Sequence, residues 1–444
     1  MSISNDIRNL LDIQDKNIYV NENAVTYGEH KGETCKFIKA TLTYEVNQCP
    51  NCQAEKIGSS IYKNGTQLSR ITIPTMGVYP TYLLLSKQRF MCKHCVTSFT
   101  AQTNIVKRHS FISSNTKAQI IIKSAGAQSV KDISQDCGVS GATVQRVINK
   151  EADTYKPNYN ALPKHLSFDE FKYAKGKMAF EYIDVETGDI LDILNSRDNR
   201  TITDHFITNY SLSTRKQVQT VTIDMNAGYV SLIKEMFPNA DIIIDRFHLV
   251  QLISRAMNKT RVKIMNQLRT SHGEDQKKYR RLKRYWKLLL KKRSNLSYTE
   301  YKYYGLFGQR LESSVVQEIL NYREELKINY DLYQDVLEAM DEKNYHTLEN
   351  VLSKQCPTAA STYLRTSIKT LRKHLPYIKN SFQYTYNNGR IEGINNKIKV
   401  LNRIAYGYRN FNHYKNRIRL HFKFKPVAKK PIISDENKSH SRVA

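Results

Sequence analysis

The amino-acid sequence predicts a multidomain chain: a small paired-cysteine module, a compact run of short helices, and an α/β domain interrupted by a large helical insertion. Three observations carry this. Two C-x-x-C pairs stand near the N-terminus, a helix–glycine–helix pattern follows, and from His165 alternating strands give way to strands spaced by helices. The 444 residues suit about three units at roughly 150 residues each.

Apolar residues make up 40% of the chain, ample for buried cores. No run of about 18 apolar residues occurs, so no membrane helix and no membrane partner is expected. The N-terminus, MSISNDIRNLLDIQDKN, lacks the basic start and apolar block of a signal peptide. A cytoplasmic protein is expected, in a reducing compartment where seven cysteines suit metal binding better than disulfides.

The net charge of +28 is concentrated. Arg255 to Arg293 holds 15 Lys/Arg against 2 acids, and Asn388 to Lys425 holds 10 against a single acid, Glu392. Basic segments of this size suit a phosphate backbone through counterion release.

Residues 1–45 form an N-terminal segment, and residues 46–105 a zinc-binding module. Cys49-Pro-Asn-Cys52 and Cys92-Lys-His-Cys95 are two knuckles with 39 residues between them. Each tight turn aims two thiolates to one side, and two such turns facing each other make a tetrahedral sulfur site for structural Zn²⁺. The intervening ITI and TYLLL predict a small β unit. Cys35, Cys137 and Cys356 lack such partners and read as small apolar residues.

Residues 112–152 predict a helix-turn-helix. Val130 to Asp136 forms one helix, Gly138 suits a left-handed C-cap, and Ser140 caps the next, Gly141 to Lys150. Ile133, Val139, Val144 and Val147 fit one core. The second helix would offer Thr143, Gln145, Arg146 and Asn149 to a DNA major groove.

After the linker YKPNYNALPKHL, the domain spanning 163–425 begins. HLSFDEF, KMAFEYIDV and ILDILNS read as a three-stranded meander. A helix from Thr201 to Tyr210, a strand QVQTVTIDM, a helix from Asn226 to Phe237 and a strand DIIID follow. That order is ribonuclease H-like, a fold in which the first and fourth strands are neighbours. Asp169 on the first and Asp224 at the end of the fourth then converge. Two like charges held together call for a cation between them, and oxygen ligands suit Mg²⁺ or Mn²⁺.

A third carboxylate comes from the second basic segment. On a helix, Ile391, Ile394, Ile398, Leu401 and Ala405 form an apolar stripe, with Glu392, Asn396, Lys399 and Arg403 beside it. Packing the apolar stripe on the sheet would aim Glu392 inward as a metal ligand, while Lys399 and Arg403 would hold DNA phosphates. Glu170 should face away from Asp169 by strand alternation.

SFDEF, VTIDMNAGY, FPNADIIIDRFHLV and NNGRIEGINNKIKVLNRIAYGYRNF, with the paired cysteines and the helix-turn-helix, resemble the ISL-three family of insertion-sequence DDE transposases. The resemblance implies Asp169, Asp224 and Glu392 as the catalytic triad. It also implies that Asp245 and His248, a D-x-x-H pattern, act beside it, although both could instead cap the following helix. Implied with it are double-stranded DNA as partner (element ends and target), a homo-oligomer, and association with the nucleoid of a bacterium. Two other readings fit the same features: a catalytically inactive DNA-binding regulator, or a structure-specific nuclease of the same fold.

Residues from about 250 to 380 predict an all-helical insertion, as in part of the DDE group. Lys283, Arg284 and Trp286 lie in its basic half, where Trp286 would either stack on an extruded base or pack in the helical core. The tail 426–444 is polar and aperiodic, and is expected to be disordered.

Overall fold

The computed structural model describes residues 3–225 and 227–424. The predicted disordered tail lies outside them. The chain forms two compact units, Met1–Lys156 with Lys397–Ala444, and Pro157–Asn396. The predicted catalytic domain runs to 425, whereas the chain from Lys397 onward groups with the N-terminal unit.

In the first unit, helix α1 (Ile3–Leu10) precedes β1 (Ile18–His30), β2 (Glu33–Leu42), β3 (Ile61–Met76), β4 (Tyr79–Cys92) and β5 (Thr97–Thr100). These form one sheet in the order β1-β2-β4-β3, with β5 on β4. The segment 1–45 is therefore not separate from the cysteine module: β2 runs parallel to β4 and pairs with it from Lys36↔Thr81 to Leu42↔Lys87. Alternation in ITI and YLLL sends Ile71, Ile73, Leu83 and Leu85 into the core beside Ile38 and Leu42.

Helices α2 (Ser114–Ala125), α3 (Val130–Asp136) and α4 (Gly141–Ala152) follow. Ser129 and Asp132 form a capping box on α3, and Ser140 accepts from Thr143 N on α4. Gly138 sits at φ +59° in the turn between them, a conformation that favours glycine. Ile120, Ile133, Val144 and Ile148 share a core that the C-terminal helix Phe411–Lys423 completes with Leu420. That helix is also tied by Arg417, whose buried guanidinium donates to Gly126 O (3.1 Å) and Gln128 O (2.7 Å).

The second unit opens with β6 (His165–Ala174), β7 (Lys177–Asp184) and β8 (Ile190–Leu194). Next come α5 (Asn199–Asn209), α6 (Leu212–Lys216), β9 (Thr220–Ile223), α7 (Ala227–Met236) and β10 (Asp241–Ile244). The sheet order is β10-β9-β6-β7-β8. The meander is antiparallel, while β6–β9 and β9–β10 are parallel, as the ribonuclease H-like expectation requires. On one face Phe168 is buried with Phe180, Phe206 and Phe237, at ring distances of 5.0, 5.7 and 6.1 Å.

The rest of the unit is α8 (Arg246–Gln267), α9 (Gly273–Arg284), α10 (Trp286–Leu290), β11 (Tyr301–Tyr304), β12 (Gly308–Leu311), α11 (Glu312–Leu320), α12 (Glu324–Asp341), α13 (Tyr345–Ser353), α14 (Thr362–Lys373) and α15 (Leu375–Gln383). The insertion is thus not all helical: β11 and β12 form a hairpin, in which Tyr301, Tyr303 and Tyr304 favour strand. Helix α16 (Gly389–Ile404) spans the boundary between the units, and α17 (Phe411–Lys423) follows. The predicted stripe is realised on α16, where Ile391, Ile394, Ile398 and Leu401 are buried.

Replacing Phe168 with Ala should leave a cavity at the centre of this aromatic cluster. A loss of about 3–5 kcal/mol is expected, read as an earlier denaturant-unfolding transition. An unchanged midpoint would show that the cluster can collapse around the gap.

Candidate active site and metal centres

The strand register builds the site. Ser167 on β6 pairs with Thr222 on β9, which pairs with Ile243 on β10. Two residues further along, on the same face by alternation, stand Asp169, Asp224 and Asp245. The backbone stays paired to that point, since Asp245 N donates to Ile223 O (3.0 Å). On the other side Asp169 pairs with Glu181 on β7. Four acids therefore stand in a row across four adjacent strands.

Helix α16 lies over this face. Asn388, the residue just before it, accepts from Ser167 Oγ (2.8 Å), and its backbone N–H donates to Asp245 Oδ2 (3.2 Å). One and two turns on, Glu392 approaches His248, with Oε1 3.6 Å from Nε2, and Asn395 Nδ2 donates to Asp169 Oδ2 (2.7 Å). At the start of the helix Gly389 N donates to Asn387 Oδ1 (2.9 Å). Asp245 also caps α8 by accepting from Phe247 N (3.0 Å), which sets the first turn that carries His248.

Burial raises the Asp169 carboxyl above its ordinary value, opposed by the N–H groups of Glu170 and Asn395 and by nearby His248. Glu170 faces the other way, as alternation predicts, and accepts from Arg197 (2.6 Å) and Tyr229 (2.5 Å).

Among the described residues, Asp245, His248 and Glu392 present ligand atoms all within 4.8 Å of one another, whereas Asp169, Asp224 and Glu392 form no such group. The expected triad is aligned on one face without being gathered as closely as those three. Like charges repel, and Asp169 has its own donors in Glu170 N and Asn395. The chemistry of both sets suits a divalent cation. The aspartates with Glu392 offer oxygen alone, as Mg²⁺ or Mn²⁺ prefers, and His248 adds a nitrogen that Mn²⁺ tolerates better.

Three side chains of the site were not singled out from sequence: Asn388, Asn395 and Glu181. Asn395 sits one turn after Glu392, and that i+3 spacing is the signal for it. Glu181 is fully buried, and among the described residues neither carboxylate oxygen has a hydrogen-bond partner. Burial, reinforced by Asp169, pushes its carboxyl well above the ordinary value.

The cysteine centre is compact. Cys49 Sγ lies 3.7 Å from Cys95 Sγ, and Cys52 Sγ lies 3.8 Å from Cys92 Sγ. A tetrahedron with Zn–S of about 2.3 Å has edges of about 3.8 Å, so the four sulfurs fit zinc. Thr97 Oγ1 (2.8 Å) and Asn51 Nδ2 (3.7 Å) approach Cys95 Sγ. Cys35 and Cys137 are buried elsewhere, as expected of small apolar residues.

Of the predicted DNA-facing residues, Arg146 is exposed and Gln145 and Asn149 are half-buried. Thr143 corrects the expectation. It is buried, and its hydroxyl accepts from Ser140, so the capped first turn points it inward. Asn149 is engaged by Gln145 (2.9 Å) and Asn416 (3.1 Å). Lys283, Arg284, Lys399 and Arg403 are exposed. Trp286 is 37% exposed, so part of its ring is open and part is covered.

Residues 166–418 match a family profile described as transposase, of the DDE type found in ISL3 elements. Residues 45–95 match the zinc-finger of transposase IS204/IS1001/IS1096/IS1165. The transposase for insertion sequence element IS1001 of Bordetella parapertussis is 30% identical over 273 residues, 61% of this chain and 64% of that protein. A Lactococcus lactis subsp. lactis protein named ATP-dependent protease is 42% identical over 109 residues, 24% of this chain and 34% of that protein. The chain thus spans less than two thirds of either relative. The Drosophila P element transposase strand transfer complex aligns over 71% of this chain and 92% of that one, at 12% identity and a TM-score of 0.34.

Two outcomes test these centres. Replacing Cys52 with Ser should lower zinc content from about one per chain and reduce the melting temperature. Full zinc retention, read by metal analysis, would refute a four-sulfur site. For Glu181, the unfolded carboxyl ionises near 4.5 while the folded one stays protonated to higher pH. Stability is then present at low pH and lost as pH rises above that value. Glu181→Leu should relieve this, with an advantage of about 1–3 kcal/mol at neutral pH that shrinks toward pH 4. A pH-independent difference would show that Glu181 ionises normally.

Proposed function

The chain belongs to the DDE transposase family of the ISL3 type, and we propose that it is the transposase of an insertion sequence, cutting and joining DNA with divalent metal. The observation that carries this reading is the row Asp169–Asp224–Asp245 across three parallel strands, with Glu392 on a helix over the same face.

In this reading Asp169, Asp224 and Glu392 hold Mg²⁺ or Mn²⁺. Such ions activate an attacking oxygen and stabilise a leaving one in phosphodiester transfer. Asn395 fixes the Asp169 carboxylate so that one oxygen is oriented by a side-chain amide. Asp245 anchors the first turns of both α8 and α16, and so sets the approach of His248 to Glu392. His248, beside that carboxylate, is placed to contact the scissile phosphate. Hydrolysis at the element end frees a 3′-hydroxyl, which then attacks target DNA.

Recognition of the terminal inverted repeats falls to the zinc module and to α2–α4 acting as a helix-turn-helix, with Arg146 and Gln145 outward on α4. Lys399 and Arg403 on α16, and Lys283 and Arg284 on α9, supply phosphate contacts. The helices and hairpin between α8 and α15 act as the insertion of the catalytic domain. Joining two ends calls for a homo-oligomer, working at the bacterial nucleoid.

The test is cleavage of a labelled duplex carrying the terminal repeat, with Mg²⁺ or Mn²⁺, beside Asp224→Asn. Wild type should nick at the repeat boundary, and the variant should bind but lose at least about 10³-fold in rate. If both bind and neither cuts, the regulator reading takes over. Cutting without strand transfer favours the nuclease.

A further inference from the structure

Helix α16 stops on a residue that its backbone does not favour. Tyr406 N donates to Arg403 O (3.0 Å) and Gly407 N to Asn402 O (2.9 Å), the paired bonds of a left-handed helix stop. Glycine is the usual residue at such a stop, because a side chain strains the left-handed conformation. Here Tyr406 takes it, at φ +54°, and is 97% exposed. A tyrosine at this point gains almost nothing from packing and strains the backbone. Strain without a compensating contact points to a role outside the fold.

The loop is rigid on both sides of that ring. Tyr408 stacks on buried Tyr414 at a ring distance of 4.6 Å, and Tyr414 Oη donates to Ile398 O (2.8 Å). Asn410 caps α17 by accepting from Asn412 N (2.8 Å) and His413 N (3.3 Å). Asn416 on α17 donates to Asn149 on α4 (3.1 Å), which fixes the loop beside that helix. Between the loop and α3–α4 lies a cleft of about 640 Å³, whose lining includes Lys131, Gln145, Tyr406, Arg409 and His413. The ring, two cations and Gln145 of α4 therefore border one space. Lys131 and Arg409 are exposed and form no ion pair among the described residues. Asp132, which also lines the cleft, is turned onto the cap of α3, where it accepts from Ser129 N (3.2 Å) and Ser129 Oγ (2.8 Å).

Groove dimensions narrow the ligand. A helix that reads bases fills the major groove, about 12 Å wide, and the neighbouring minor groove is about 6 Å wide. The narrower groove admits one projecting side chain. We propose that Tyr406 is a minor-groove wedge for duplex DNA, set beside the segment faced by α4, with Lys131 and Arg409 on the bordering phosphates. This rests on the reading of α2–α4 as a DNA-recognition element. A ring inserted there partly unstacks a base step and bends the duplex. The wedge thus adds deformability to what the protein reads.

Tyr406→Gly separates the ring from the fold, because glycine suits the left-handed position and should leave the melting temperature unchanged or higher. Fluorescence anisotropy on the full chain, with a terminal-repeat duplex at one salt concentration, should then show about a tenfold loss of affinity. Tyr406→Phe should bind as wild type does. Energy transfer between dyes at the two duplex ends should rise on binding wild type and stay flat with Tyr406→Gly. Unchanged affinity or unchanged bending in Tyr406→Gly overturns the wedge. So does a loss of affinity that accompanies a fall in oligomeric mass, which assigns the ring to a contact between copies. Arg146→Ala on the same duplex separates the two readings. If it weakens binding and Tyr406→Gly does not, the wedge fails alone. If Tyr406→Gly weakens binding and Arg146→Ala does not, the recognition reading of α4 fails and the wedge stands.

Discussion

The parallel pairing of β6 with β9 is the constraint on which the rest of the catalytic unit depends. With Ser167 opposite Thr222, the carboxylates two residues on fall side by side. A slip of one residue would turn Asp224 to the other face, among Phe168 and Phe206, where an unpaired charge costs several kcal/mol. The aromatic packing on that face and the acid row on this one are two consequences of one register.

The polar layer beneath α16 follows from it. A helix laid over a row of acids must bring donors, and α16 brings the Asn388 backbone, the Asn395 side chain and, through the shared Asp245, the cap of α8. These hydrogen bonds give Glu392 a defined approach to His248. The layer is incompletely paired: among the described residues Glu181, Thr222 Oγ1 and Asn395 Oδ1 are buried without partners. Such groups are expensive in a structural core, and their concentration around one row of acids is a mark of a site rather than of packing.

Charge is partitioned by the tertiary structure. The basic block from Arg255 to Arg293 reads in sequence as one polyanion-binding surface. Much of it is spent internally: Lys263 pairs with Glu325, Arg281 with Glu318, Lys292 with Asp341 and Arg293 with Asp331, while Arg261 is buried on Leu282 O. Among the described residues the cations of this block that form no ion pair are Arg255, Lys259, Arg269, Arg280, Lys283, Arg284 and Lys287, all exposed. In the C-terminal segment, Arg417 is likewise an internal tie.

Local chemistry is what the sequence by itself determined. Helix α3 and the start of α4 follow from Ser129, Gly138 and Ser140, whose effects act over three or four residues. The strand order, the outward turn of Glu170 and the buried stripe of α16 follow from periods of 2 and 3.6. The zinc knuckles follow from C-x-x-C spacing. Wherever the partner is distant in sequence, tertiary structure decided. It folded the first 45 residues into the cysteine module's sheet through β2 and β4, and sent the C-terminal helix to the N-terminal unit through Leu420. It also buried Thr143, placed Glu181 opposite Asp169, and grouped Asp245, His248 and Glu392 more tightly than the expected triad. Periodicity reports which face a residue takes, but which carboxylates meet depends on strand register and helix docking, and those are set by pairs distant in sequence such as Ser167 with Thr222 and Ser167 with Asn388.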